Sequence, residues 1–346
     1  MIVVMNPEAT KEQIDRVIDL IHHMDLKEHV IQGTELTVVA VIGEDHKKEP
    51  SQFETLPGVQ KAMRVLEPYK LASKKFKKER STVTIGESCV IGGKDIAVIA
   101  GPCSVESEEQ IIKSAHIVKE AGATALRGGA FKPRTNPYSF QGHGEDGLKM
   151  LAAAREATGL PIVTEVMTPT DVALVSRYAD CLQIGTRNAQ NYKLLEAAGD
   201  QPKPVLFKRG MAMTIDEFLQ AADYILAAGN PNVILCERGI RTFEKFSRNT
   251  YSLSAIVELH HRTHLPVVGD PSHGTGHAHL VPDMAKATLA CGADGLALEV
   301  HHDPPHAWSD GAQSLNPQQF AELMPLLARV AESVDRSLPL PQAVGQ

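Results

Sequence analysis

From residue 95 onward, short apolar runs alternate with longer segments of helical pattern, and this unit recurs eight times. The runs are residues 95–101, 123–129, 161–167, 180–185, 204–210, 232–239, 266–272 and 295–300. Parallel strands are covered on both faces, so they are expected to be apolar along nearly their whole length. The pattern predicts an α/β fold, a closed (β/α)8 TIM barrel over residues 95–338. An open, doubly wound sheet is the alternative, and eight near-equal units favour closure.

Residues 1–72 follow a different plan. A strand at 2–5, a helix from 7 to about 24, a strand near His29 and a strand at 36–43 precede a second helix near 59–66 and a strand near Tyr69. The order βαββαβ predicts an N-terminal ferredoxin-like domain. Residues 73–94 are predicted as a linker and β-hairpin, in which Gly-rich turns at 82–93 close the bottom of the barrel.

The charge balance limits the possible partners. A net charge of −7 argues against nucleic acid or an anionic membrane surface as the main partner, because both require a broad basic face. The lysine-rich run at residues 70–80 lies where a linker is expected and is interpreted as a solvated connector. Any positive field that serves function must therefore be local.

The cysteines and the N-terminus suggest a compartment. The five cysteines have no CxxC spacing, and their odd number argues against a closed disulfide framework, which fits a reducing environment. The first residues lack a basic segment followed by an apolar core, and no run of 18 apolar residues occurs. We expect a cytoplasmic protein.

Basic residues collect at the ends of the predicted strands, where a barrel of this kind places its chemistry. Any one of them could be an ordinary surface charge, but random charges would not sort by strand end. Guanidinium and ammonium groups around one pocket of an acidic protein require a multiply charged, anionic substrate. These candidates are Arg127, Lys132, Arg134, Arg187, Lys208 and Arg238.

A second set at the strand ends mixes sulfur, nitrogen and oxygen donors. Cys103, His273, Glu299 and Asp310 lie at or after the ends of the first, seventh and eighth strands, which are neighbours in a closed barrel. A buried cysteine or a lone histidine is usually structural. Together these four suit one divalent ion such as Mn²⁺, Fe²⁺, Co²⁺ or Zn²⁺.

Several motifs resemble those of the 3-deoxy-D-arabino-heptulosonate-7-phosphate (DAHP) synthase family. They are AGPCSVES (100–107), LRGGAFKPRTNPYSFQG (126–142), QIGTRNAQNYKLL (183–195), LFKRGM (206–211), GDPSHGTG (269–276) and EVH with SDGAQSL (299–315). The N-terminal module is similar to the regulatory ferredoxin-like domain of one subgroup. The resemblance implies condensation of phosphoenolpyruvate with erythrose 4-phosphate, an aromatic amino-acid effector and a homotetramer.

The resemblance also implies roles for single residues. Cys103, His273, Glu299 and Asp310 would hold the metal, and Arg134 and Thr135 would hold the phosphate of the sugar. Phosphoenolpyruvate would be bound by Arg127, Lys132, Arg187, Lys208 and Arg238. Two further roles are hypotheses from the residues themselves and not from the resemblance. Lys132, close in sequence to the anion site, is the candidate proton donor, and Glu165 is the candidate for orienting the attacking water; a metal-bound water is the alternative to both.

One departure and two rivals remain open at this point. The segment HHDPPHAW (301–308) is unusually rich in His and Pro, so His302 or His306 could compete as an outer metal ligand. The related 3-deoxy-D-manno-octulosonate-8-phosphate synthases carry Ala-Asn-Arg where this chain has Pro133, Arg134 and Thr135. A non-catalytic metabolite sensor is the rival from another class.

Overall fold

The chain divides into two compact units, Met1–Glu79 and Arg80–Gln346. The computed structural model describes residues 1–33, 36–44, 48–64, 68–134 and 136–341. In those ranges no helix is long and apolar enough to cross a membrane.

The N-terminal unit is a four-stranded antiparallel sheet with two helices, in the predicted βαββαβ order. Its elements are β1 (Ile2–Met5), α1 (Lys11–His23), β2 (Lys27–Gln32), β3 (Thr37–Ile42), α2 (Pro50–Glu54) and β4 (Val59–Met63). The strand order is β2-β3-β1-β4. α1 was predicted to begin at position 7. It begins at Lys11, because Thr10 and Gln13 form a capping box at its N-terminus. Val17, Ile21 and Phe53 pack on the sheet and form the core of this unit.

Two sequence predictions in this unit were wrong. Residues 59–63, predicted as helix, form the edge strand β4, which pairs antiparallel with β1. The helix lies earlier, at α2, where Pro50 stands at its first turn, a position that Pro favours. Tyr69 lies outside any strand within residues 68–79, because β4 already completes the sheet. The segment after it is packed, since Leu71 and Phe76 are buried.

The second unit is a closed barrel of eight parallel strands, as predicted. Its strands are β7 (Ala97–Gly101), β8 (Ala125–Arg127), β9 (Ile162–Val166), β10 (Cys181–Ile184), β11 (Val205–Lys208), β12 (Val233–Glu237), β13 (Val267–Gly269) and β14 (Gly295–Glu299). Each strand pairs with the next along the chain, and β14 pairs with β7 to close the ring. Every residue of these strands is buried.

Helices follow the strands and cover the barrel. They are α3 (Glu108–Glu120), α4 (Glu145–Thr158), α5 (Val172–Tyr178), α6 (Tyr192–Gly199), α7 (Ile215–Ala227), α8 (Leu253–Arg262), α9 (Pro271–Thr275), α10 (Val281–Ala290) and α11 (Pro317–Ser333). Local sequence sets several ends: Ser107 caps α3, and Gly159 adopts a left-handed conformation after α4.

The predicted hairpin consists of β5 (Val83–Ile85) and β6 (Cys89–Ile91). Val83, Ile85, Cys89 and Ile91 form one apolar cluster with side chains from inside the barrel. That cluster fills the barrel at the end opposite to the carboxyl ends of the strands, so polar residues are left to the other end.

Candidate active site

The carboxyl ends of the barrel strands surround a cavity of about 300 Å³. All six cations predicted from the strand ends line it: Arg127, Lys132, Arg134, Arg187, Lys208 and Arg238. Glu165, His273 and Asp310 also face this space. Thr135, the remaining predicted substrate residue, lies outside the described residues. The cavity therefore collects positive charge in a protein of net charge −7.

Three of the four predicted metal ligands form a cluster beside the cavity. One ligand atom each from Cys103, Glu299 and Asp310 lies within 4.8 Å of the other two. His273, the fourth, has its Nε2 atom 3.3 Å from Glu299 Oε1. Thiolate, carboxylate and imidazole donors at such spacings fit a divalent transition metal.

Asp270 orients the His273 ring. His273 Nδ1 lies 2.6 Å from Asp270 Oδ2, and the Asp270 side chain also accepts a hydrogen bond from the His273 backbone N–H. With Nδ1 used in this bond, Nε2 is directed toward Glu299. Lys208 Nζ lies 2.7 Å from the same Asp270 oxygen, so this carboxylate links a candidate ligand to a cavity cation.

Burial and neighbouring charges set the protonation of the ligands. Burial, followed by the Glu299 carboxylate, raises the pKa of the Cys103 thiol to about 11 despite the nearby Lys132. Burial lowers the pKa of His273 and outweighs Asp270, which raises it. Burial alone would raise the pKa of Glu299, but His273 and Arg127 bring it down to about 2. At neutral pH the site thus offers a thiol, a neutral imidazole and a carboxylate.

Two cations connect the ligand cluster to the cavity. Arg127 Nη1 lies 2.6 Å from Glu299 Oε1, and both side chains are buried. Lys132 Nζ donates to the Cys103 carbonyl oxygen at 2.8 Å and lies 2.9 Å from its Sγ atom. An ammonium group beside a sulfur ligand favours the thiolate form. A substrate in the cavity would therefore lie beside the candidate ligand cluster and the cations together.

Asp310 is held in an unusual backbone conformation. Its φ is 54°, in the left-handed region that few residues other than Gly adopt. Its side chain nevertheless accepts a hydrogen bond from the Cys103 thiol at 3.2 Å.

Sequence reasoning missed two residues of this site. Arg248 lines the cavity and lies 3.3 Å from Asp310 Oδ1, but it belongs to a loop well beyond the end of β12. Gln313 donates to Glu299 Oε2 at 2.6 Å and is bonded to Arg248 in turn. Gln313 lies within the SDGAQSL motif, which could have singled it out; Arg248 had no comparable signal.

Glu165 is buried on the cavity wall among cations. Burial raises its pKa, and Lys132 and Lys208 oppose that effect. Gln183 donates to Oε2 at 3.4 Å, while Oε1 has no hydrogen-bond partner among the described residues. Gly185 leaves space for this carboxyl group, since a Cβ at position 185 would lie 1.9 Å from Oε1. Glu165 is thus a buried acid with one oxygen available.

Two other strand-end charges do not join the cavity. Arg209 Nη1 forms a buried ion pair with Glu237 at 2.8 Å, and Glu237 also accepts a hydrogen bond from the Gly239 backbone N–H.

His302 and His306 line a separate pocket of about 260 Å³, which includes Glu106. Among the described residues, these two histidines are not part of the cluster that Cys103, Glu299 and Asp310 form.

Two sequence families match the chain, one for each unit of the structure. The DAHP synthetase I family matches residues 75–336, and the DAHP synthase ferredoxin-like domain matches residues 1–67.

The chain is also similar to named proteins. It is 47% identical to a phospho-2-dehydro-3-deoxyheptonate aldolase from Thermotoga maritima, over 96% of this chain and 98% of the relative. A 2-dehydro-3-deoxyphosphooctonate aldolase from Desulfatibacillum aliphaticivorans is 31% identical, over 73% of this chain and 98% of that protein.

Solved structures give the same result. The crystal structure of the phospho-2-dehydro-3-deoxyheptonate aldolase (DAHP synthase) from Thermotoga maritima matches with a TM-score of 0.78 and 46% identity, covering 98% of this chain and 99% of that one. A truncated form of 3-deoxy-D-arabino-heptulosonate 7-phosphate synthase from the same organism has a TM-score of 0.73 and 43% identity, covering 78% of this chain and 99% of that one.

Proposed function

The chain belongs to the DAHP synthetase I family, and from this we propose how its residues perform the condensation of phosphoenolpyruvate with erythrose 4-phosphate. The reaction joins the enol carbon of the first substrate to the aldehyde carbon of the second. One water adds at the carbon that carries the phosphate group, and inorganic phosphate then leaves. The observation that supports this function best is the cavity that combines clustered cations with a Cys, Glu and Asp ligand cluster. Phosphate release that requires both substrates is the direct test.

We propose that Cys103, His273, Glu299 and Asp310 hold one divalent ion, either Mn²⁺, Fe²⁺, Co²⁺ or Zn²⁺. The mutual distances in the cluster and the orientation of His273 by Asp270 support this set. The ion would supply Lewis acidity beside the aldehyde oxygen. The low pKa of Glu299 and the lowered pKa of His273 leave both groups ready to bind metal without losing a proton at neutral pH.

The cations divide between the two substrates. Phosphoenolpyruvate, which carries a carboxylate and a phosphate, would be bound by Arg127, Lys132, Arg187, Lys208 and Arg238. Arg134 and Thr135 would bind the phosphate of the sugar. The position of Arg134 supports this division. Arg127 is the last residue of β8, whereas Arg134 lies further along the chain, on the loop after β8. Guanidinium groups hold phosphate by paired, charge-assisted hydrogen bonds.

Lys132 and Glu165 are proposed to handle protons and water. Lys132 Nζ lies 2.9 Å from Cys103 Sγ, so it stands between the cavity and the metal position and can donate a proton there. Glu165 has its Oε1 oxygen available on the cavity wall and can accept a hydrogen bond from the water that adds to the substrate. A metal-bound water is the competing explanation for both roles.

The rival enzyme activity is less well supported. The 2-dehydro-3-deoxyphosphooctonate aldolase from Desulfatibacillum aliphaticivorans is 31% identical over 73% of this chain, whereas the heptulosonate relative is 47% identical over 96%. The match of residues 1–67 to a DAHP synthase ferredoxin-like domain favours the same assignment. A non-catalytic sensor would not need the ligand cluster or the available Glu165 oxygen.

We also propose that the N-terminal unit binds an aromatic amino acid and that the protein is a homotetramer. An apolar pocket of about 470 Å³ in that unit, lined by Val4, Ile31 and Phe76 among others, is large enough for such an effector. Lys61 and Lys78 also line this pocket and could bind the carboxylate of the effector. The cytoplasm is the proposed location, since all five cysteines are free thiols.

A further inference from the structure

Arg134 is held by acceptors on two different loops of the cavity mouth. Its Nε atom donates to the Phe140 carbonyl oxygen at 3.0 Å, within the loop that follows β8. Its Nη2 atom donates to the Trp308 carbonyl oxygen at 3.4 Å, in the loop that follows β14. The direction of the guanidinium therefore depends on the distance between the two loops.

An aromatic contact fixes that distance. The Phe140 and Trp308 rings meet edge to face, with centroids 5.0 Å apart and an interplanar angle of 83°. The His143 ring lies 5.0 Å from Phe140 and 6.0 Å from Trp308, so the three rings form one cluster. Edge-to-face packing is the favoured geometry for aromatic pairs and adds to the stability that burial provides.

The same tryptophan is anchored to the loop after β7. Its backbone N–H donates to Glu106 Oε1 at 2.8 Å. Ser309 and Asp310 follow directly, and both approach the Cys103 sulfur, at 3.1 and 3.2 Å. Trp308 is thus connected to the ligand cluster through the two residues that follow it and to Arg134 through its carbonyl oxygen.

The Trp308 ring contributes little to the hydrophobic core. It is 55% exposed, so its aromatic contacts, rather than burial, are its main contribution. We propose that Trp308, through Phe140, is a positioning residue that aims Arg134 at the second anionic substrate; this rests on the proposed role of Arg134 in binding the sugar phosphate.

Steady-state kinetics of the full-length, metal-loaded enzyme test the proposal. Trp308→Leu keeps the backbone acceptor but removes the ring contact, so the KM for erythrose 4-phosphate should rise about 2- to 10-fold, the size expected of one aromatic pair. The KM for phosphoenolpyruvate and kcat should change less than about 2-fold. Trp308→Phe, which can restore an edge contact, should recover most of the lost affinity.

A matched control separates this role from a general effect on the mouth. Tyr138 belongs to the same loop as Phe140 and is 95% exposed. Tyr138→Leu should leave both Michaelis constants unchanged. An equal rise in the erythrose 4-phosphate constant for Tyr138→Leu and Trp308→Leu, or a change in the phosphoenolpyruvate constant as large as that for the sugar, would overturn the positioning role.

A double-mutant cycle distinguishes failure of this inference from failure of the proposed function. If Trp308 acts through Arg134, adding Trp308→Leu to Arg134→Ala should cause no further rise in the sugar-phosphate KM. If Arg134→Ala raises that constant while Trp308→Leu does not, only the positioning role fails. If Arg134→Ala itself has no effect, the substrate assignment fails and the positioning role fails with it.

Fluorescence gives a readout that a purely structural role would not produce. Trp308 is the single tryptophan of the sequence, so the intrinsic tryptophan emission comes from this position. Erythrose 4-phosphate added to the full-length enzyme should change the emission, and Arg134→Ala should abolish the change. An emission unaltered by saturating erythrose 4-phosphate would overturn the proposal.

Discussion

Asp270 holds His273 by two hydrogen bonds, one from the backbone N–H at 2.9 Å and one involving Nδ1 at 2.6 Å. This arrangement fixes the tautomer that leaves Nε2 for a metal. Asp270→Asn should therefore weaken the affinity for Mn²⁺ or Co²⁺ by about 10- to 100-fold, the range typical for partners of metal-ligating histidines. Calorimetric titration of the metal-free protein measures this directly.

The matched control for that experiment is Asp180→Asn. Asp180 precedes β10 at the opposite end of the barrel, where its carboxylate binds Arg155 and the Ile162 backbone. Its substitution should leave metal affinity unchanged. Equal losses in the two variants would show that the effect is on folding and not on His273.

The Cys103 thiol should lose its proton when metal binds. Burial raises its pKa to about 11, so at pH 7.5 the metal-free site holds a neutral thiol, whereas a metal-bound sulfur is a thiolate. Calorimetry in buffers of different ionisation enthalpy should show about one more proton released by the wild type than by Cys103→Ser. The variant should also bind metal weakly and turn over poorly. Equal proton release from both proteins would exclude Cys103 as a ligand.

The substrate division predicts opposite kinetic effects for two cavity arginines. Arg134→Ala should raise the KM for erythrose 4-phosphate far more than that for phosphoenolpyruvate, since a charge-assisted phosphate contact is worth about 1.5 to 3 kcal/mol. Arg187→Ala should do the reverse. Initial rates measured with each substrate varied in turn decide this, and similar changes in both constants would contradict the division.

We expect the Glu165 carboxyl to lower the stability of the fold while it takes part in catalysis. Burial raises its pKa, so the folded protein binds this proton more tightly than the unfolded chain does. The raised pKa therefore lowers the stability of the fold at pH values above the ordinary range of a glutamate, by about 1.4 kcal/mol for each tenfold change in the ionisation constant. Glu165→Gln should raise the Tm of the metal-free protein at pH 7 to 8 and lower kcat.

The pH dependence supplies the control for Glu165→Gln. The difference in Tm between variant and wild type should grow as pH rises above the ordinary range of a glutamate and vanish in acid, where Glu165 is protonated. A difference that stays constant with pH would point to packing. A variant with unchanged kcat would remove Glu165 from the mechanism and support a metal-bound water in its place.

The barrel and most of its site could be predicted because one rule applies throughout: parallel strands are apolar, and their carboxyl ends meet. That rule brings Lys208 and Arg238 together although 30 residues separate them. The rule does not predict that Arg248 lies at the cavity, because the position of Arg248 depends on the path of a long loop. In the N-terminal unit, residues 59–63 have no strong strand pattern, and pairing with β1 overrides their local preference. Contacts between distant segments, rather than local sequence, determined what was missed.

Regulation can be tested by removing the N-terminal unit. The cut belongs after Glu79, because Phe76 is buried in that unit, 5.9 Å from the His29 ring, and a cut at residue 72 would leave Phe76 without its partner. Residues 80–346 contain the whole barrel, its hairpin and every described residue of the site. The truncated protein should therefore fold and keep most of its kcat.

The truncated protein should lose inhibition by tyrosine or phenylalanine. Coupling between an effector site and an active site is typically worth about 1 to 3 kcal/mol, so full-length enzyme should show a change of about 5- to 150-fold in apparent affinity at saturating effector. Phe76→Ala in the full chain is the finer test, because Phe76 lines the pocket of the N-terminal unit and lies outside the barrel unit. It should weaken inhibition while uninhibited activity is kept. If truncated and intact enzymes give the same inhibition curve, or if the intact enzyme ignores both amino acids at millimolar concentration, the regulatory role fails and the barrel chemistry is unaffected.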